Sequence, residues 1–326
     1  MVNNNLASDI KKKYLDKKGF VQISFAWLFA IIVGAVILFF AIYASVKLIG
    51  TEGTVSSTEA GKEIDILLNP LETGFNEEKT TPLSTSVETR INNGCSEPEE
   101  SSLFGKQKIS VSQKVSDKWT DTGIESISYN KYVFSGRSTE GEDFYLFSKP
   151  FNFPFKVADL IILTSSNDKY CFDDAPEKIK EELSALGQAN LFVENCPEES
   201  QKICFNGGGD GCNVEVDTYD NSVIKIGSGE EKVYYETDAL MYAAIFSDAN
   251  LYECQVKRLM QRLESLVLVY NEKESVLSNI GCTAEVNMLS LADSAENFED
   301  SSDLITVKQA ADDAEDSNED ADCGLW

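Results

Sequence analysis

From Gly19 to Val46 the chain carries no charged side chain, and from Trp27 to Ile42 it is almost wholly apolar. At 1.5 Å per residue, about 20 such residues make a helix that crosses the ~30 Å hydrocarbon layer of a bilayer. A core helix of a soluble domain would be shorter and would show a polar face. The sequence therefore predicts one transmembrane helix within residues 19–50, with membrane lipid as its immediate surroundings. Lys11, Lys12, Lys13, Lys17 and Lys18 precede the run against Asp9 and Asp16, whereas Lys47 alone follows before Glu52 and Glu59. The positive-inside bias then places the basic segment 1–18 in the cytoplasm and the remainder of the chain outside. The run is longer than the apolar part of a secretory signal, and bulky Ile42 stands where a signal peptidase needs a small residue, so a retained anchor is expected. Ala26, Ala30 and Gly34 recur every fourth residue, a spacing that lets two membrane helices approach closely and form a homo-oligomer.

Charge and composition remove whole classes of activity. The formal net charge is −27 and the pI is about 4.3, so a nucleic acid would be repelled. The chain has no histidine, which excludes Ser-His-Asp and Cys-His nucleophile systems, histidine-ligated zinc and imidazole proton shuttles together. Asp and Glu are abundant enough that carboxylate pairs will occur on a solvated surface by composition alone, and no spacing singles one out as catalytic. No enzymatic activity, cofactor or metal is expected on these grounds.

The string Lys17-Lys18-Gly19-Phe20-Val21-Gln22-Ile23-Ser24-Phe25 resembles the class III signal sequence of type IV pilins and archaeal pilin-like proteins, in which a basic stretch ending in glycine directly precedes the hydrophobic helix. Gln22-Ile23-Ser24 is similar to the Gln-x-Ser opening of the archaeal form. The resemblance covers about residues 1–50. It implies a prepilin peptidase as a partner, cutting on the cytoplasmic side between Gly19 and Phe20, and a helix that packs with its copies in a filament core. At the fifth position after Gly19, where many pilins carry glutamate, this chain has Ser24.

Beyond the anchor the fold class expected is α+β. A polar juxtamembrane segment, 51–63, reads as a spacer, although a helix could continue through Ala60-Gly61-Lys62. A β-rich α/β region follows over 64–236. Period-two alternation at Ile109 and Val111, at Tyr132 and Phe134, and at Phe151, Phe153 and Phe155 predicts half-buried strands. Residues 157–164 read as a central strand, followed by a helix from Pro176 carrying Ile179, Leu183 and Leu186 and stopping at Gly187, then a strand at 190–193, a strand-helix-strand unit. The glycine-rich run 206–211 lacks the ending of a phosphate loop and reads as a hairpin turn, with calcium binding by Asp210, Asn213 and Glu215 as the competing reading.

From about Thr237 helix formers dominate, and 237–326 is expected to be a helical region with an acidic C-terminal segment. Tyr252, Val256, Leu259, Leu263, Leu266 and Tyr270, continued by Leu277 and Ile280, form the apolar stripe of one long helix ending near Gly281, better suited to covering a core than to an oligomer seam. The terminal segment is expected to add one more helix returning to a disulfide.

All eight cysteines, Cys95, Cys171, Cys196, Cys204, Cys212, Cys254, Cys282 and Cys323, follow the membrane run. Their even number and one-sided placement predict disulfides in an oxidising exterior. Connectivity is open, with Cys204 to Cys212 the most local choice. The functional expectation is a signal-anchored cell-surface structural or interaction protein of pilin-like type. The alternatives are an anchored ligand-binding domain of receptor type and, behind it, an anchored hydrolase.

Overall fold

The computed structural model describes residues 25–69, 80–99, 102–115, 117–207, 211–227, 229–282 and 286–326. Internal contacts divide the chain into two units, Met1–Thr51 and Glu52–Trp326.

Helix α1 (Phe25–Leu67) is 43 residues long. In its first part, Phe25–Lys47, apolar side chains point out all round. Every large one from Phe25 to Val46 is exposed, from Phe25 at 84 % down to Val33 at 37 %. Among the described residues of this unit, no protein surface covers them. In the second unit the same helix buries Ser57, Gly61 and Ile64, with Leu68 just past its end, a four-three-four spacing that sets one stripe against a sheet. The polar composition of 51–63 thus does not make a spacer. The helix runs through it, and its polar residues are used in docking: Ser57 Oγ lies 3.0 Å from Thr120 Oγ1, and Ile124 N donates to Thr58 Oγ1 at 3.0 Å.

The strands follow as β1 (Thr81–Ser96), β2 (Lys106–Val115), β3 (Lys118–Trp119), β4 (Ser126–Ser128), β5 (Tyr132–Phe134), β6 (Ser138–Asn152) and β7 (Lys156–Ser165). They form a seven-stranded sheet in the order β3-β2-β1-β6-β7-β5, with β4 also pairing with β2. It is antiparallel except for β5 beside β7. Both faces are covered, which explains why β7 reads as one continuous apolar run instead of an alternation. Leu160 and Ile162 enter the main core, while Ile161 and Leu163 join Ile91, Ile109, Val111, Phe144 and Leu146 beneath Ile64 of α1 and Leu68 just past its end.

Next come β8 (Tyr170–Asp173), α2 (Glu177–Leu186), β9 (Leu191–Phe192), β10 (Gln201–Phe205), β11 (Val214–Asp217), β12 (Ser222–Lys225) and β13 (Glu231–Tyr234). They build a second sheet in the order β13-β12-β11-β10-β8-β9. Helix α2 has Pro176 at its N-terminus and left-handed Gly187 at its C-cap, and it buries Ile179, Leu183 and Leu186. The strand-helix-strand unit exists, but its first strand is β8 and not 157–164. Tyr170–Asp173 pairs in parallel with Leu191–Phe192, while 157–164 lies in the other sheet.

The glycine-rich run is not a hairpin either. Strands β10 and β11 are parallel neighbours, with Ile203 opposite Val214. The chain therefore enters β10 and β11 in the same direction. Parallel neighbours ordinarily need a crossover of a dozen or more residues. Here the Cys204–Cys212 disulfide clips the return, and Asn213 anchors its end, its Oδ1 accepting from Lys202 N while its own N–H donates to the Lys202 carbonyl, both at 2.8 Å.

The C-terminal helices are α3 (Asp238–Phe246), α4 (Ala249–Asn279), α5 (Met288–Glu296) and, after a 3-10 turn, α6 (Leu304–Glu319). They are not a separate body, because α3 is buried at every position from Ala239 to Phe246 and shares one core with both sheets. The stripe on α4 is core from Tyr252 to Leu263, and Leu266, Tyr270 and Leu277 pack at its margin. Ile280, counted in that stripe by periodicity, is 76 % exposed. Helix α6 is followed by Cys323, bonded to Cys282, and by the fully buried Leu325.

Candidate functional site

The eight cysteines form four disulfides, Cys95–Cys254, Cys171–Cys196, Cys204–Cys212 and Cys282–Cys323. Their Cα separations of 5.5 to 6.1 Å lie within the range that a disulfide spans. They tie β1 to α4, β8 to the segment after β9, β10 to the start of β11, and the end of α4 to the C-terminus. An N-terminal apolar helix together with four disulfides is the make-up of a membrane-anchored or secreted protein.

Gly19 and Phe20, the expected processing site, lie outside the described residues, as does Asp210. Ala26 and Ala30 are exposed on α1, and a side chain added at Gly34 would meet nothing within 4 Å. Of the remaining calcium candidates, Asn213 has its oxygen committed to Lys202 N, and Glu215 sits within β11. Among the described residues no three His, Cys, Asp or Glu side chains converge as metal ligands.

The polar groups of the second unit gather elsewhere. Where α3 ends, a cleft of about 420 Å³ opens between the β5–β6 connection and one end of the second sheet. Sequence logic builds its walls. Ser247 closes α3 by donating from both its N–H and its hydroxyl to the Ala243 carbonyl, and Asp248 caps the next helix by accepting from Leu251 N. The Asp248 carboxylate also takes Arg137 Nε at 3.0 Å. Lys225 reaches over from the end of β12 and donates to the Ile245 carbonyl, in the last turn of α3, where a cation complements the helix dipole.

Thr139, Asp168, Gln201 and Asn213 complete the polar lining, and Tyr170 and Phe246, edge to face at a centroid distance of 4.9 Å, supply the apolar part. Burial pushes Lys225 down to about 7, opposed by the nearby Asp248 carboxylate. Burial also raises the Asp168 carboxyl, against a backbone hydrogen bond from Ser165 and with Glu140 adding to the rise. Tyr170 is held protonated well above its ordinary value by burial and then by Asp168. All three shifts favour uncharged groups. A smaller hollow of about 290 Å³ shares Arg137 and lies against the Cys95–Cys254 bridge.

Sequence reading did not find this cleft, since its residues come from six separate stretches of chain and none forms a motif. Two signals were present. Lys225 interrupts the otherwise apolar Val223-Ile224-x-Ile226, and Ser247-Asp248 separates two helical patterns. Neither points to a ligand without the fold. In comparisons with known proteins, no family model matches the chain and neither a curated protein nor a solved structure is found similar to it.

Proposed function

We propose that the chain is a signal-anchored cell-surface structural or interaction protein of pilin-like type, held by α1 with its N-terminus in the cytoplasm and processed by a prepilin peptidase between Gly19 and Phe20. One observation carries this reading. Phe25–Lys47 is a helix whose large apolar side chains are exposed all round. A run of 23 residues exposing large apolar side chains all round has the length of a membrane-spanning anchor and exceeds the apolar part of a secretory signal. The basic segment before Gly19 and the cysteines after the helix support the orientation. N-terminal sequencing of protein extracted from native membranes tests the processing, with Phe20 as the expected first residue. Protease added to intact cells tests the orientation: full protection of the region after Lys47 would reverse it.

A second reading, an anchored ligand-binding domain, is favoured by the cleft at the end of α3, which has the volume and convergent polar lining of a small-molecule site.

A further inference from the structure

The cleft has an unusual inventory. It contains four ionisable side chains of formal charge, yet these are already engaged with the protein. Arg137 is paired with Asp248, Lys225 donates to the Ile245 carbonyl, and Asp168 is tucked in where burial disfavours its charge. An anionic ligand would have to compete with Asp248 for Arg137, and a cationic one would have to compete with Arg137 for Asp248. The pair is largely exposed, and each exchange replaces one solvated charge pair by another, so neither sign of charge gains much.

What is left over is neutral. Among the described residues, the Thr139 hydroxyl and the Gln201 amide make no side-chain hydrogen bond, and Asn213 uses its oxygen but not its amide nitrogen. Hydroxyls and amides both donate and accept, the requirement for reading a ring of hydroxyl groups that do the same. Beside them the exposed Ile226 side chain and the edge of the largely buried Tyr170 ring give an apolar margin for the C–H face of a sugar. The volume, about 420 Å³, falls within the range of about 300–1,000 Å³ for small-ligand sites.

We propose that the cleft formed by Thr139, Gln201 and Asn213 beside Tyr170 binds a neutral, hydroxyl-rich ligand, a mono- or disaccharide. This deepens the ligand-binding reading of the cleft and does not depend on how the anchors assemble.

The test uses the full chain in lauryldimethylamine oxide, a detergent without a sugar headgroup, and saturation-transfer NMR. The probes are glucose, galactose, mannose, N-acetylglucosamine and maltose, with glycine, glutamate and sulfate as charged competitors. At least one sugar is expected to receive saturation. Its binding is expected to weaken by about threefold or more in Thr139→Val, as the loss of one hydrogen bond implies, and to vanish in Gln201→Trp, which fills the mouth. Circular dichroism checks that each variant is folded, and Ser138→Trp, at an exposed position on the rim, replaces Gln201→Trp if that variant is not. Sugar binding unchanged in the folded variants overturns the proposal. Binding of glycine, glutamate or sulfate without any sugar overturns the saccharide assignment and leaves a ligand site of another class. Silence from every probe removes the ligand-binding reading as well.

Discussion

The Arg258 guanidinium lies over the Tyr132 ring, 4.7 Å from its centroid, and is completely buried. Its hydrogen-bond partners are all neutral oxygens: the carbonyls of Phe104 and Lys131 at 2.9 Å and Tyr129 at 3.0 Å, and Gln255 Oε1 at 2.6 Å. Gln255 passes the network to Gln107, which joins Asn93. Burial pulls the guanidinium down to about 10, so it remains charged at neutral pH. The result is a polar strut between α4 and the first sheet, next to the covalent one made by Cys95 and Cys254.

Arg258→Ala is therefore expected to destabilise the second unit by about 3–5 kcal/mol, because it removes the donors of three carbonyls and opens a cavity. Arg258→Lys should lose less, keeping the charge but not the planar fork. Urea unfolding followed by circular dichroism reads both. Gly105→Ala should also destabilise strongly, because the backbone beside Arg258 would have to move. Gly105 has φ +59°, and a Cβ there would collide with the Ser96 carbonyl and crowd Arg258 Cγ at 2.9 Å.

This strut also shows where sequence reading stops. The α4 stripe from Tyr252 to Leu263 was legible because burial against a sheet imposes helical periodicity, and the helix at Pro176–Gly187 was legible from its caps. Arg258 was not, since a lone arginine in an amphipathic helix ordinarily snorkels to solvent, and only the carbonyls of the 129–131 and 104 turns keep it inside. The same reason applies to β10 and β11. Strand pairing depends on which edges meet, and a short glycine-rich connection predicts a hairpin unless a disulfide makes a parallel return feasible. The cleft was invisible for a related cause, as its residues converge only once two sheets and α3 are assembled.

The Cys204–Cys212 bridge should accordingly matter more than its short loop suggests. Chain-entropy reasoning for a loop of 8 residues gives about 2.5 kcal/mol. The Cys204→Ser, Cys212→Ser double variant is expected to lose at least that much stability. It should also show faster amide exchange at Val214 to Val216, whose ladder to Ile203 to Phe205 depends on the return staying tight. Exchange confined to the loop itself, with the strands unchanged, would mean that the bridge is dispensable for the parallel pair.

Lys225 makes stability depend on alkaline pH. Its pKa is about 7 in the folded chain against 10.5 ordinarily, so between these values the unfolded state binds more protons and stability rises with pH. Below about 7 both states are protonated and this contribution is flat. Lys225→Met should abolish the rise across that window while leaving the slope below it unchanged. Denaturant midpoints measured from pH 6 to pH 10 for both proteins provide the comparison, and parallel curves would show that Lys225 is not desolvated as its place against the Ile245 carbonyl implies.

The anchor yields the remaining prediction. Ala26, Ala30 and Gly34 recur every fourth residue on one face of the helix, beside the larger Val33 and Ile37, and a Cβ added at Gly34 would meet nothing within 4 Å. In lipid, where apolar surface alone gives helices no reason to associate, close backbone approach at such a face is the main source of attraction. Ser24, five residues after the glycine of the basic head, can add one hydroxyl hydrogen bond but cannot neutralise a neighbouring amino terminus as a glutamate would. Assembly through α1 should then rest on packing, with an order of magnitude of ~1–2 kcal/mol for a polar or small-residue contact. Gly34→Leu is expected to reduce chemical cross-linking between copies in native membranes, and Ser24→Glu to increase it once Phe20 is the first residue. If the protein is not cut after Gly19, the amino terminus stays with the basic segment and Ser24→Glu buries an unpaired charge instead, lowering both insertion and cross-linking. The direction of the Ser24→Glu effect thus separates a processed, assembling subunit from a simple signal-anchored surface protein.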